Sequence, residues 1–107
     1  MASRSLPFRY EVSVSGITTT VTCHGSLLND NVDELKQLVK PMIPICRHIV
    51  IDLSDVNFVD SAGLGALVSL KVSAASAAYC SLEFINFSPL VKELLHTTKL
   101  SQLFSSN

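Results

Sequence analysis

The sequence predicts an α/β domain: a mixed four-stranded sheet with a β-hairpin start and a parallel core, packed with three to four helices. Three observations lead there. Two stretches rich in alternating and β-branched residues flank a short turn near the start of the chain. An almost unbroken apolar run, Ile49-Val50-Ile51-Asp52-Leu53, suits a strand covered on both faces of a parallel sheet. Apolar residues at helical spacing fill the segments between and after the strands.

Each element has its own local reason. Phe8, Tyr10, Val12 and Val14 alternate with Arg9, Glu11 and Ser13, as in a half-exposed strand. Ser15-Gly16 marks a turn, and Ile17 to His24, rich in Thr and Val, forms the second strand. Gly25 ends that strand, and Asn29, Asp30 or Asn31 can cap the helix that follows. Val32, Leu35, Leu38, Val39 and Met42 form its apolar stripe, and Pro41 and Pro44 close it. After the third strand, Ile49 to Leu53, a second helix runs from Ala62 to Ala78 with Leu64, Leu67, Val68 and Val72 inward. Leu82 to Phe87 is the fourth strand. Ser88-Pro89 opens a third helix, with Ser as cap and Pro in the first turn. Leu100, Leu103 and Phe104 follow it.

The order β-β-α-β-α-β-α contains two β-α-β units, which take right-handed crossovers. Loops leaving the carboxyl ends of such strands gather on one edge, where ligands tend to bind. That edge is expected to carry Gly25 to Asn31, Val56 to Ser61 and Asn86 to Ser88.

Composition narrows the class. A chain of 107 residues makes one domain. A net charge of -1 gives no electrostatic case for nucleic acid or an anionic membrane as partner. The apolar runs are far shorter than the ~18 residues of a membrane span. Met1-Ala2-Ser3-Arg4-Ser5 lacks the apolar run of a signal peptide, and Cys23, Cys46 and Cys80 are widely spaced. The expectation is a cytoplasmic protein.

The chemistry centres on Val59-Asp60-Ser61-Ala62-Gly63-Leu64-Gly65, at the mouth of the second helix. Asp60 and Ser61 can each accept from the free N–H groups of the first turn. Gly63 and Gly65 cost helix propensity and offer bare backbone that another molecule can approach. A hydrolase elbow needs Gly-x-Ser-x-Gly, and the residue two before Ser61 is Val59. No P-loop occurs, Gly63-Leu64-Gly65 lacks the third glycine of a dinucleotide fingerprint, and Cys46-Arg47-His48 has no second pair of metal ligands. Two readings of Ser61 remain: a helix cap, or a phosphorylation switch whose phosphate the helix N-terminus tolerates. Such a phosphate adds roughly -1.5 to -2 charges beside Asp60 and alters any interface on this edge.

The stretch Ile51-Asp52-Leu53-Ser54-Asp55-Val56-Asn57-Phe58-Val59-Asp60-Ser61-Ala62-Gly63-Leu64-Gly65 resembles the signature of STAS domains, specifically the bacterial anti-sigma factor antagonists. The tail from Asn86-Phe87-Ser88-Pro89 onward is similar to the family too. The resemblance implies the STAS fold and a partner-switching protein that is no enzyme and needs no cofactor or metal. In that scheme the unmodified form binds an anti-sigma factor that is also a serine kinase and frees the sigma factor. Phosphorylation of the serine matching Ser61 ends the binding, and a serine phosphatase restores it. The implied partner-binding residues are Asp60, Ser61, Ala62, Gly63 and Leu64, with Gly25, Ser26 and Asn29 on the neighbouring loop. A monomer is the expected state. The chain departs from the family where Gly25-Ser26-Leu27-Leu28 replaces Gly-Glu-Leu-Asp. The alternative is a STAS scaffold or small-ligand-sensing subunit of a larger complex, without phosphoregulation.

Overall fold

The computed structural model describes residues 7–77 and 79–98. In chain order the elements are β1 (Arg9–Ser15), β2 (Thr18–Leu27), α1 (Val32–Val39) with a 3-10 turn at Lys40–Met42, β3 (His48–Val59), α2 (Ser61–Ser76), β4 (Ser81–Ile85) and α3 (Pro89–Thr97). The strands lie in the order β1-β2-β3-β4. β1 is antiparallel to β2, while β2, β3 and β4 run parallel. This is the mixed sheet the sequence predicts. Leu100, Leu103 and Phe104 lie outside the described residues.

The hairpin turn is Gly16-Ile17, with Ser15 paired to Thr18. Gly16 has φ +61, the left-handed backbone that the first position of a type II′ turn requires. Both crossovers step the same way across the sheet, so right-handedness puts α1 and α2 on one face, where they pack together. Val21 and Cys23 of β2, Ile49, Ile51 and Leu53 of β3, and Leu82 and Phe84 of β4 meet Leu35, Val39, Leu67 and Leu70 there. Val91 and Leu95 of α3 join the same cluster. Burial pushes the Cys23 thiol, helped by the nearby Asp52 charge, up to about 12. It acts as a small apolar core residue.

Two expectations about exposure are corrected. β3 is not covered on both faces by apolar neighbours. Val50 is buried, but His48 and Asp52 on the same side are half-buried and polar. His48 reaches Thr18 on β2 at 3.1 Å and Glu83 on β4 at 3.1 Å, tying three strands together across this open face. β1, at the edge of the sheet, is exposed along its whole length rather than half-buried.

β2 and β3 also run further than expected, while β4 ends at Ile85, short of the expected Phe87. β3 continues through Val56 to Val59, and Gly25 lies inside β2 instead of ending it. Register shifts between Thr22 and His24 and between Gly25 and Ser26 interrupt the β2–β3 ladder, and Gly25 takes φ +93 there. The extra residues of both shifts lie on β3, and Gly25 on the facing strand holds a positive φ that glycine adopts without steric cost. Past it, Ser26 pairs with Phe58 and Leu27 with Val59, whereas β4 pairs with β3 only as far as Asp52. The resulting two-stranded extension carries the end of β2 up beside the start of α2.

Candidate functional site

Asp60 joins this extension to α2. Its backbone N–H donates to the Leu27 carbonyl at 3.3 Å, which holds the strand ends together. As N-cap it has φ -90 and ψ -175, and its Oδ1 accepts from Gly63 N–H at 2.8 Å. Oδ2 accepts from Asn29 N–H at 3.0 Å. One carboxylate thus satisfies an orphan donor of the helix and pins the β2–α1 loop, thirty-one residues away in the chain. That loop is closed by Asn31, whose Oδ1 accepts from Leu28 N–H while its Nδ2 donates to the Ser26 carbonyl. Asn31 stands at the N-cap position of α1, but it spends its side chain on the loop and makes no cap bond.

With Asp60 as the cap, Ser61 is the first helical residue and is exposed. The cap reading of Ser61 therefore fails: the neighbouring aspartate fills that role. Gly63 N–H is bonded to Asp60 Oδ1 and Leu64 N–H to the Asp60 carbonyl. The N–H groups of Ser61 and Ala62 have no partner among the described residues, and neither does the Ser61 hydroxyl.

The predicted contact residues divide by burial. Ser61 and Asn29 are exposed, and Asp60 and Ala62 are half-buried. Gly25, Ser26, Gly63 and Leu64 are buried, so these four offer no surface to a partner. Gly63 serves packing inside the molecule. A Cβ there would lie 2.3 Å from the Leu27 carbonyl oxygen and 2.8 Å from Val59 Cγ1, so the bare backbone admits the end of β2. Gly65 has nothing within 4 Å of such a Cβ and is exposed. Phe58 is exposed by 41% on the same edge, and sequence reasoning passed over it because it falls in the stretch Val56 to Ser61 that reads as a loop. The register, Phe58 opposite Ser26, was the missing information.

No histidine among the described residues bonds Ser61. His24 contacts Asp55 at 2.6 Å and lies 3.6 Å from Glu11, and His48 is engaged by Thr18 and Glu83. A Ser-His-Asp arrangement is absent there. Among the described residues no cluster of three or more His, Cys, Asp or Glu is placed to hold a metal, and no helix is long and apolar enough to cross a membrane. Asp52, Asp55 and Asp60 each have separate partners. Burial pushes Asp52 up, but the Ser54 N–H and hydroxyl, the Asn86 amide and the positive field of His24 outweigh it. Its carboxyl is held below the usual value. Asn86, at φ 60, supplies that amide from the β4–α3 loop, and Asp55 faces His24.

A mixed sheet of this order, with its helices on one face and a capped serine helix at its carboxyl edge, defines a STAS domain. The model of the STAS family described as "Mlab, STAS domain" matches residues 10–105. The chain belongs to the STAS domain family. Among solved structures, an anti-sigma factor antagonist from Mycobacterium paratuberculosis aligns at TM-score 0.81 with 21% identity, covering 92% of this chain and 84% of that one. The Bacillus antagonist SpoIIAA aligns in its unphosphorylated form at TM-score 0.73 with 17% identity, over 89% of this chain and 84% of that one. Its phosphorylated form aligns at 0.70 with 16% identity, over 89% and 87%. At these identities the likeness shows the shared fold. No curated protein matches the chain by sequence.

Proposed function

We propose that this STAS domain is an anti-sigma factor antagonist whose partner binding is switched by phosphorylation of Ser61. In the unmodified form the edge made by Asn29, Phe58, Asp60, Ser61, Ala62 and Gly65 binds an anti-sigma factor that is also a serine kinase, releasing a sigma factor. The kinase then transfers the γ-phosphoryl group of ATP to the Ser61 hydroxyl, whose proton is released as the Oγ–P bond forms and ADP leaves. A serine phosphatase hydrolyses the ester and restores binding. The chain itself performs no catalysis in this scheme, which operates in the cytoplasm.

The observation that carries the reading is the division of labour between Asp60 and Ser61. Asp60 caps the helix, so the Ser61 hydroxyl is exposed and uncommitted, beside two N–H groups without partners. A phosphate there meets those donors and the positive end of the macrodipole. The fold can therefore accept it, while its charge next to the Asp60 carboxylate changes the surface a partner meets. Binding to the anti-sigma factor is expected to survive Ser61→Ala and to be lost in Ser61→Asp.

A second reading is a STAS subunit that docks constitutively in a larger complex. The exposed Phe58, three residues before Ser61 in the chain, favours it, as an apolar anchor that needs no switch. Such a subunit would bind its partner equally well as wild type and as Ser61→Asp, and would lose affinity on Phe58→Ala.

A further inference from the structure

The two edges of the sheet are treated differently. β4, at one edge, is only five residues long, and Lys71 Nζ reaches across from α2 to donate to the Leu82 carbonyl at 2.9 Å. Ser81 N–H is spent on Arg47 of the β3 side, so alternation turns Leu82 outward, and the lysine covers that outward-facing carbonyl. A short strand guarded by lysine is a usual defence against edge pairing. β1, at the other edge, has none of these devices. It is seven residues long, contains no Lys or Pro, and every residue in it is exposed.

The two-residue turn fixes which groups of β1 face out. Ser15 and Thr18 close the hairpin as a bonded pair, so Arg9, Glu11, Ser13 and Ser15 point their N–H and C=O groups at β2. Tyr10, Val12 and Val14 point theirs outward. The side chains of these same three residues form an exposed apolar row, continuing the core face of β2 in register with Cys23, Val21 and Thr19.

We propose that, in place of the monomer that the family resemblance implies, β1 pairs antiparallel with β1 of a second copy of this chain about a two-fold axis at Val12, joining two four-stranded sheets into one. The register follows from the sequence Arg9-Tyr10-Glu11-Val12-Ser13-Val14-Ser15. Centred on Val12, it sets Val12 against Val12 and Tyr10 against Val14 of the other copy, so every outward N–H and C=O of the three residues finds a partner. On the opposite face Glu11 meets Ser13, and Arg9 meets Ser15, with no like charges opposed. A slip that centres on Glu11 opposes two carboxylates, and one that centres on Ser13 leaves Tyr10 against the Gly16 turn. The Val12 register alone satisfies charge, apolar packing and backbone together. Because the pair is antiparallel, the two Ser61 edges point in opposite directions and stay accessible.

Sedimentation equilibrium of the full chain tests this with three variants, each checked for native circular dichroism. Wild type is expected to show a concentration-dependent dimer, and Val12→Lys, which opposes two ammonium groups at the axis, to sediment as a monomer at every concentration. Ser13→Lys gains a charge pair with Glu11 of the other copy at two places, and should tighten the dimer by roughly 2- to 30-fold. Ser13→Glu should weaken it comparably. A wild type that stays monomeric to about 1 mM overturns the proposal. So does a dimer that Val12→Lys leaves intact, or one whose affinity moves the same way for both Ser13 variants.

Discussion

Gly63 and Gly65 stand two residues apart in one helix, and the structure assigns their replacement by alanine opposite signs. In Gly63→Ala the new Cβ meets the Leu27 carbonyl oxygen at 2.3 Å and Val59 Cγ1 at 2.8 Å. The oxygen must retreat by roughly 0.7 Å to reach even 3.0 Å, and it belongs to rigid strand backbone. It is also the acceptor for Asp60 N–H at 3.3 Å, so its retreat strains the joint between β2 and α2. Overpacking of this kind costs ~1–3 kcal/mol, and loss of the hydrogen bond about 1 kcal/mol more. Helix propensity returns about 1 kcal/mol, leaving a net loss of ~1–3 kcal/mol. Gly65→Ala meets nothing within 4 Å and keeps only the propensity term, a gain of about 0.5–1 kcal/mol. Urea unfolding at constant m-value reads both, and each kcal/mol corresponds to about 4–8 °C in Tm for a domain of this size. A Gly63→Ala variant as stable as wild type would refute the packing argument. So would two variants that move in the same direction.

Two further substitutions probe the same edge. Asp60→Ala removes the cap on Gly63 N–H and the tie to Asn29 N–H, and should lower stability by ~1–2 kcal/mol in urea unfolding, with Asp60→Asn losing less because one acceptor survives. Equal losses for the two would argue against the cap. The carboxyl of Asp52 is held below its unfolded value near 3.9, so its contribution is present above about pH 4 and is lost as the pH falls through the folded value. The urea midpoint of Asp52→Asn should therefore drop less between pH 6 and pH 3 than that of wild type. A parallel drop would mean that Asp52 plays no part in the acid response.

Much of the fold was legible because local signals agreed. The hairpin turn at Gly16, the apolar run into β3, and Ser88-Pro89 at the start of α3 each have one physical solution. The structure realises all three, with the Ser88 hydroxyl accepting from Val91 N–H at 3.3 Å. The strand ends were less legible. Gly25 reads as a terminator, and only its pairing with Val56 of β3 shows that a glycine with φ +93 lies inside the strand. Phe58 and Val59 read as loop because their strand partners lie thirty-two residues away, at Ser26 and Leu27. At the site, the spacing of Asp60, Ser61 and Gly63 revealed a capped helix mouth but could not say which side of Gly63 was occupied. The occupant is Leu27 of the same chain, a long-range contact that no local pattern encodes. The burial of Ser26 and Leu64 was hidden for the same reason.

The central claim is that Ser61 is a phosphoacceptor governing partner binding. Its most direct test is intact-mass measurement after incubating wild type and Ser61→Ala with ATP and each histidine-kinase-like serine kinase of the host. The account predicts the gain of one phosphate on wild type with one such kinase, none on Ser61→Ala, and loss of that kinase's binding to the modified chain. A kinase that binds the chain without modifying it, or a phosphate that appears on Ser61→Ala as well, would contradict the claim.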